Sequence, residues 1–270
     1  GELIDYERIL EAFLGRGLDA PVSVETHNPD RSVSNEEMSK RTVMAVQRAW
    51  PTAAQGGVTA RKSGRGLQRP WHDDPVGFAV IGMGMGYNRA REITETSGTR
   101  LVGVCDLNEE RAQKAAGVFD VSYSTDINDY LNNDEVDVVF VLTETGNHGK
   151  VAMQALSAGK HVMTTKPMDA NVENCNAMIQ LAEEKGLMLA VDFEMRHTPG
   201  FCALQTAVQE GHLGKIRSGN LQLKVQRTED YFKHNNSWRG TQKLDGGGVL
   251  SNQSIHYVDQ IAFTAGVPAK

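Results

Sequence analysis

The sequence is poor in cysteine, in long apolar runs and in surplus positive charge. Its three cysteines, Cys105, Cys175 and Cys202, are odd in number and far apart, so they suit neither a disulfide framework nor a zinc site. No apolar run approaches the ~20 residues of a membrane helix, and nothing near residue 1 resembles a signal peptide. With 34 acidic against 28 basic residues, the net charge of −6 argues against a nucleic-acid-binding surface. We therefore expect a cytoplasmic protein that binds neither membranes nor nucleic acids.

One short segment has the pattern of strand, glycine-rich turn, helix, strand and acid. An apolar run over residues 78–81 enters Gly82-x-Gly84, and a second apolar run over 101–105 ends in Asp106. The first glycine permits a tight turn, and the second lets a pyrophosphate approach the backbone at a helix N-terminus. Asp106 lies about 20 residues beyond the turn, where a carboxylate binds the ribose hydroxyls of NAD. Because the same carboxylate repels a 2′-phosphate, the segment predicts a dinucleotide site that prefers NAD to NADP.

The turn departs from the usual dinucleotide fingerprint at its third glycine. That position holds Tyr87, and an extra glycine, Gly86, comes one residue early. We expect Tyr87 to force a wider contact between helix and strand or a slightly altered loop. Arg111 follows Asp106 a few residues further on and leaves NADP as the alternative cofactor.

Strand and helix patterns alternate regularly over residues 76–195. Predicted strands at 136–143, 161–164 and 188–192 alternate with predicted helices at 109–118, 148–158 and 171–185. This α/β alternation predicts a Rossmann domain, a doubly wound parallel sheet with helices on both faces. Over residues 196–270, a helix at 201–210 and a strand at 216–226 predict a truncated second α/β domain with a mixed or antiparallel sheet.

The chain before residue 76 has a different character. Residues 1–50 show a helix–strand–helix pattern, and residues 51–75 are a predicted linker, rich in Gly, Ser, Arg and Gln without a periodic apolar pattern. One strand cannot form a sheet alone, so we expect residues 1–50 to dock on another part of the protein or to be incomplete.

The motifs over residues 76–270 form a specific series. They are Ala79-Val80-Ile81-Gly82-x-Gly84, Val104-Cys105-Asp106-Leu107-Asn108, Asn147-His148, Ala158-Gly159-Lys160-His161-Val162, Lys166-Pro167, and Gly246-Gly247-Gly248 leading to His256-x-x-Asp259. In this order and spacing they resemble the Gfo/Idh/MocA family of NAD(P)-dependent oxidoreductases. The resemblance implies a Rossmann domain and a second domain whose large sheet supports the substrate site and the contacts of a homo-oligomer. It also implies hydride transfer between NAD(P) and a hydroxyl of a sugar, amino-sugar or inositol-like polyol.

A second, shorter resemblance covers residues 1–50. Gly1-Glu2-x-Ile4-Asp5-Tyr6 and Pro21-Val22-Ser23-Val24-Glu25-Thr26-His27 are similar to the C-terminal end of a xylose-isomerase-like TIM barrel of the sugar isomerase/epimerase type. The resemblance implies that Glu25 ligates a divalent metal in a complete barrel. Here only His27 is close in sequence, so we expect no metal site. The chain is then expected to be a fragment of a bifunctional isomerase–dehydrogenase fusion.

The predicted chemistry needs a base for the hydroxyl proton and donors for the developing charge. His256, Lys166 and Asn252 are the predicted catalytic residues, and Asn252 and His256 are spaced to share one face of a helix. The family resemblance places a glutamate where Thr165 stands and an aspartate where Asn252 stands. These missing carboxylates favour one rival hypothesis, a non-catalytic nucleotide-sensing regulatory relative with the same fold.

The remaining candidates divide between cofactor and substrate. The predicted cofactor-binding residues are Gly82, Gly84, Met85, Asp106, Asn147, His148 and Lys166. The predicted substrate-binding residues are Arg196, Trp238, Arg239 and Asp259, and Asp259 is also expected to orient the His256 ring. A helix N-cap is the alternative role for Asn147, and packing or solvation is the alternative for Arg196 and for Trp238-Arg239. Asp245 is assigned to turn chemistry alone.

Overall fold

The computed structural model describes residues 75–217, 219, 221–233, 238–246 and 248–265. The predicted TIM-barrel fragment over residues 1–50, with Glu25 and His27, lies outside the described residues. The predicted linker over residues 51–75 also lies outside them, apart from its last residue, Pro75.

The described chain is built around one parallel sheet. Its strands are β1 (Val76–Ile81), β2 (Thr99–Cys105), β3 (Ser122–Ser124), β4 (Val138–Val141), β5 (His161–Thr165) and β6 (Leu189–Asp192). The helices that alternate with and follow them are α1 (Gly86–Glu95), α2 (Glu109–Phe119), α3 (Asn128–Leu131), α4 (His148–Ser157), α5 (Val172–Lys185) and α6 (Pro199–Gln209). Single 3₁₀ turns cover Thr145–Asn147 and Glu194–His197. The predicted doubly wound parallel sheet is therefore confirmed, in the order β3-β2-β1-β4-β5-β6.

The sheet has an apolar core on each face. Along β1, Phe78 and Val80 pack into one core and Ala79 and Ile81 into the other, because successive side chains of a strand point to opposite faces. Helices α1 and α2 cover the first core, and α4 and α5 cover the second. Burial on both faces explains why the inner strands are continuous apolar runs rather than alternating patterns.

The order of the strands reverses between β1 and β4. Strands β2 and β3 lie on one side of β1, and β4, β5 and β6 lie on the other. At such a switch point the loops that follow two neighbouring strands diverge and leave a crevice at the carboxyl edge of the sheet. Gly82 follows β1 and Leu142 follows β4, so these two residues meet at the crevice.

Gly86 makes the close contact between α1 and β1. A Cβ on Gly86 would lie 3.0 Å from Val80 Cγ1. Tyr87 packs instead on Phe119 of α2, with ring centroids 5.1 Å apart. The wider helix–strand contact expected from Tyr87 is therefore not found, because the tyrosine ring points toward α2. The other expectation was a slightly altered loop. It agrees with the position of Gly86, which makes the close contact with β1 one residue before the usual third glycine of the fingerprint.

Beyond β6 the described residues form helices and segments without regular secondary structure. They include α6, α7 (Glu229–Lys233), α8 (Gln242–Asp245), a π-helical turn (Val249–Gln253) and α9 (Ile255–Ala265). The predicted strand over 216–226 is wrong for the described residues of that range, which belong to no strand. A strand needs a neighbour to pair its backbone groups, and no described residue after Asp192 belongs to a strand. The predicted mixed or antiparallel second sheet is thus not found in the described part of the chain.

Candidate active site

The loop after β1 is shaped by glycines. Gly82 has a φ of +98°, and a Cβ there would lie 2.5 Å from the Leu142 carbonyl oxygen. Gly84 is exposed, and a Cβ there would meet no atom within 4 Å, so the space beside it is open to a ligand. Helix α1 begins at Gly86, and no described side chain caps its N-terminus. The loop therefore presents backbone N–H groups to open space, the arrangement that binds phosphates.

Asp106 connects this loop to the end of β2 through hydrogen bonds. One oxygen of the buried carboxylate accepts a hydrogen bond from the Met83 N–H at 2.7 Å. The other accepts from the Asn108 N–H at 2.8 Å and from the Arg111 guanidinium at 3.0 Å. The acid predicted to bind ribose is therefore also part of the turn's own structure, and Arg111 balances part of its charge.

A cavity of about 430 Å³ opens between the glycine loop and the loop after β4, and we call it the glycine-loop cavity. Its lining includes the predicted cofactor residues Gly82, Gly84, Met85, Asp106 and Asn147. The Asn147 side chain donates to the Glu144 carboxylate at 3.1 Å and makes no capping hydrogen bond to α4. The alternative N-cap role of Asn147 is therefore not supported by its side chain.

A second cavity, of about 420 Å³, lies at the carboxyl ends of β4, β5 and β6. We call it the lysine–histidine cavity, because its lining includes Lys166, His256, Asn252, His148 and Glu194. Five residues line both cavities: Met85, Leu142, Thr143, Trp238 and Arg239. The two cavities therefore adjoin one another.

Lys166 lies directly after β5 and reaches the π-helical turn. Its Nζ donates to the Asn252 backbone carbonyl at 2.8 Å and lies 3.4 Å from Asn252 Oδ1. The Asn252 amide donates to Asp245, which is 2% exposed and also accepts from the Gly240 N–H at 2.6 Å. Burial lowers the pKa of Lys166 to about 8, against the opposing charge of Asp245. The assignment of Asp245 to turn chemistry alone is thus incomplete, because its buried carboxylate also holds Asn252 in place.

His148 connects the ends of β4 and β5. Its Nδ1 lies 2.8 Å from the Pro167 carbonyl oxygen, and its Nε2 lies 3.0 Å from the Thr143 carbonyl oxygen. Burial lowers the pKa of His148, although both carbonyls favour a proton on the ring. Because both ring nitrogens are engaged by the backbone, His148 shapes the wall of the lysine–histidine cavity.

His256 lies in the first turns of α9, beyond the π-helical turn that holds Asn252. The two residues therefore do not lie on one regular α-helix, as their spacing would require for a shared helix face, but both line the lysine–histidine cavity. His256 is 8% exposed, and its Nε2 lies 3.4 Å from Glu194 Oε1. The Phe193 ring meets the imidazole edge to face, with centroids 6.1 Å apart.

Arg196 and Asp259 pair with each other instead of lining either cavity. The Arg196 guanidinium donates through Nε to Asp259 Oδ2 at 2.6 Å and through Nη2 to Asp259 Oδ1. It also lies over the Phe263 ring, 4.2 Å from the centroid. The structure thus supports the packing alternative for Arg196. Both Asp259 oxygens accept hydrogen bonds from Arg196, and the role of Asp259 in orienting the His256 ring stays a prediction.

A buried ionic cluster behind the cavity was missed by sequence reasoning. Arg89 of α1 lies 2.9 Å from Asp192, 2.8 Å from Glu92 and 3.7 Å from Glu194. Burial raises the pKa of Asp192 to about 6, with Arg89 opposing, and raises the pKa of Glu194 to about 8. The available signal was an acid at the carboxyl end of β6 and another two residues later, since that edge of a parallel sheet binds ligands.

Trp238 and Arg239 lie where the two cavities meet. The Arg239 guanidinium is 5.0 Å from the Trp238 ring centroid and 4.7 Å from that of Tyr231. Arg227 lies over the same tyrosine at 4.9 Å. The predicted substrate residues Trp238 and Arg239 are therefore in a position to contact a ligand in either cavity.

Two classes of site are not found among the residues that the structure describes. These residues contain no group of three or more His, Cys, Asp and Glu side chains placed to hold a metal ion. Within the same ranges, no helix is both long and apolar enough to cross a membrane.

Comparison with known proteins gives two matching profiles of one family. The profile described as "Oxidoreductase family, NAD-binding Rossmann fold" matches residues 76–193, and the "GFO/IDH/MocA C-terminal domain" matches residues 201–270. Levoglucosan dehydrogenase of Pseudarthrobacter phenanthrenivorans is 28% identical over 167 residues, which cover 60% of this chain and 42% of that protein. Inositol 2-dehydrogenase of Salmonella typhimurium is 31% identical over 142 residues, covering 50% of this chain and 42% of that protein.

Solved structures agree with these matches. The WlbA dehydrogenase from Bordetella pertussis, crystallised with NADH and UDP-GlcNAcA, is 28% identical with a TM-score of 0.69, over 72% of this chain and 58% of that chain. The chain thus spans about half the length of the relatives that it matches. The two matched ranges and the parallel sheet together show that the chain belongs to the Gfo/Idh/MocA family of oxidoreductases, with its NAD-binding Rossmann domain and its C-terminal domain.

Proposed function

We propose that the protein is an NAD-dependent dehydrogenase that moves a hydride between the nicotinamide and a CH–OH carbon of a sugar, amino-sugar or inositol-like polyol. The observation that supports this most is that the glycine-loop cavity adjoins the lysine–histidine cavity. A dehydrogenase must hold the phosphates and ribose of its cofactor in one place and bring the substrate to the nicotinamide in another. The dehydrogenases of levoglucosan and inositol among the relatives support the proposed substrate class.

The glycine-loop cavity fits NAD. Gly84 leaves open space for a pyrophosphate, the N-terminus of α1 offers backbone N–H groups, and Asp106 offers a carboxylate for ribose hydroxyls. Gly82 supplies the turn, while Met85 and Asn147 line the same space. His148 and Lys166 line the adjoining cavity and are proposed to border the nicotinamide.

The chemistry is proposed to reside in three side chains of the lysine–histidine cavity. When bound, NAD supplies the hydride acceptor. His256 accepts the hydroxyl proton, and Lys166 stabilises the negative charge that develops on the substrate oxygen. Asn252 receives Lys166 on its backbone carbonyl and is itself held by Asp245, so the ammonium group is fixed in the cavity. Trp238 and Arg239 are proposed to contact the substrate.

Asp106→Ala is expected to weaken NAD binding about 10- to 100-fold and to reduce the preference for NAD over NADP. The change removes charged hydrogen bonds of about 1.5–3 kcal/mol and the repulsion of a 2′-phosphate. Fluorescence titration of both cofactors measures the two affinities. Asp106→Asn separates the effects, because it keeps an oxygen for the Met83 N–H but removes the charge. Exposed Asp134→Ala is the control, and tighter binding of NADP than of NAD by the wild type would refute the assignment.

A non-catalytic, nucleotide-sensing relative is the second candidate, and the absence of acids at Thr165 and Asn252 favours it. The full-length protein is expected to produce NADH with at least one member of a panel of neutral polyols, amino sugars and sugar acids. Absorbance of NADH measures the activity, and calorimetry measures NAD binding in the same preparation. Binding of NAD without turnover on any member of the panel would favour the regulatory candidate.

We also propose that the Rossmann domain spans residues 76–195 and the second domain residues 196–270, in a cytoplasmic homo-oligomer. The two profile matches support this division. The three cysteines are free thiols, which suits a reducing compartment.

A further inference from the structure

Two acids that the family resemblance places at positions 165 and 252 are absent, yet buried acids reach the site from other elements. Asp245 accepts from Asn252, as described above. Glu194, in the 3₁₀ turn that follows β6, has its Oε1 3.4 Å from Nε2 of His256. Glu194 and His256 are each 8% exposed. The proposed proton acceptor therefore lies beside a carboxyl group that comes from a different part of the chain.

The surroundings of Glu194 contain more carboxyl groups than cations. The Arg89 guanidinium makes its close contacts with Asp192 at 2.9 Å and Glu92 at 2.8 Å, and it lies 3.7 Å from Glu194. One guanidinium thus faces three carboxyl groups. A buried carboxylate without compensation is strongly unfavourable, so Glu194 requires a proton of its own or a protonated neighbour. The His256 imidazole is in contact with Glu194 and can supply that proton.

Other ionisable groups also line the lysine–histidine cavity and contribute to the electrostatic environment of His256. They are His148, Lys166, Arg227, Tyr231, Arg239 and Tyr257.

We infer that Glu194 is a positioning residue that titrates as one unit with His256 and stabilises the imidazolium formed when His256 accepts the hydroxyl proton. The inference rests on the proposed function. In the transfer the substrate O–H bond breaks as an N–H bond forms on His256. The carbon that bears this oxygen loses its hydride to the nicotinamide, and its C–O single bond becomes a C=O double bond. Glu194, from the turn after β6, thereby supplies the negative charge that an aspartate in place of Asn252 would carry.

Histidine NMR on the chain itself tests the coupling, without NAD or substrate. His256 is assigned by the loss of its signal in His256→Gln. In the wild type the shared titration is expected to give two steps, because two interacting groups release their protons as a pair. In Glu194→Gln one step should remain, with its midpoint lowered by about one pH unit or more, since a neighbouring carboxylate favours the charged imidazolium.

Glu92→Gln is the matched control, because it removes an acid from the same Arg89 cluster without touching His256. The His256 midpoint should stay unchanged in this variant. Equal shifts in Glu92→Gln and Glu194→Gln, or no shift in Glu194→Gln, would overturn the inference. If Glu194→Gln does not fold, the wild-type curve decides, and a single step for His256 refutes the coupling. Loss of NAD binding in the same samples would refute the proposed function while leaving the NMR result intact.

Discussion

Replacing Lys166 by methionine, or His256 by glutamine, is expected to lower turnover of the full-length protein by about 10²–10⁴-fold in each case. Lys166→Met keeps the length of the side chain but removes the charge that is proposed to stabilise the developing alkoxide. His256→Gln keeps polarity but removes the proposed proton acceptor. Affinity for NAD should stay nearly constant, because Gly82, Gly84 and Asp106 lie in the other cavity. Initial rates of NADH formation and calorimetric titration of NAD measure the two quantities.

Two exposed residues provide matched controls for this prediction. Lys243→Met and His212→Gln make the same chemical changes at positions that line neither cavity. Both controls should retain wild-type turnover. Near wild-type turnover in both Lys166→Met and His256→Gln would show that their assigned roles are wrong.

Arg89→Met is expected to lower the free energy of unfolding by about 3–5 kcal/mol. The arginine is buried between Asp192 and Glu92, and removing it leaves buried carboxylates without a partner. Urea unfolding followed by circular dichroism measures the loss. Exposed Arg91→Met, on the same helix, is the control, because its contact with the Tyr87 ring is worth about 1 kcal/mol or less. Equal losses in the two variants would show that the buried cluster does not contribute as proposed.

The loss in Arg89→Met should depend on pH in a defined direction. The pKa of Asp192 is raised to about 6 even with Arg89 present, because burial outweighs the guanidinium. Without Arg89 that pKa rises further above the value in the unfolded chain. At a pH below the pKa of Asp192 in the unfolded chain, Asp192 is neutral in both the folded and the unfolded state, and the substitution costs little. As pH rises toward and beyond 6, Asp192 ionises more readily in the unfolded chain than in the folded one, so the destabilisation grows. Unfolding curves should therefore show a larger loss of unfolding free energy in Arg89→Met at pH 8 than at pH 4.

The Rossmann sheet was predictable because its signals are local. Residues 76–81 and 101–105 are apolar runs of strand length, and Gly82 and Asp106 occupy positions that the turn geometry requires. Strand β3 was not predicted, since Ser122–Ser124 has no apolar run and pairs only at the edge of the sheet. The strand predicted over 216–226 depends on alternating apolar residues at Leu221, Leu223 and Val225. Such alternation shows which residues would share a face of a strand, but it does not show that a second strand is present to pair with it.

The site was predictable where it depends on motifs, and unpredictable where it depends on packing between distant segments. Lys166 and His256 were identified from their motifs, and the structure brings them to one cavity. The contact between Glu194 and His256 joins residues far apart in sequence, so no spacing rule could indicate it. The planar donors of Arg196 suit sugar hydroxyls and the spacing of Asp259 suits the His256 ring, but in the structure the two side chains form an ion pair with each other. The type of a charged side chain alone does not show which group it pairs with in the folded protein.

The base of the glycine-loop cavity is built from main chain, and this limits how the protein can change. At Gly82 the backbone lies against the Leu142 carbonyl so closely that even one methyl group has no room. A surface of this kind keeps its shape when neighbouring side chains are exchanged. The cavity walls, by contrast, are side chains such as Asp106, Trp238 and Arg239. Substitutions in the walls are therefore expected to change which ligand the cavity accepts, while substitution of Gly82 is expected to disturb the base itself.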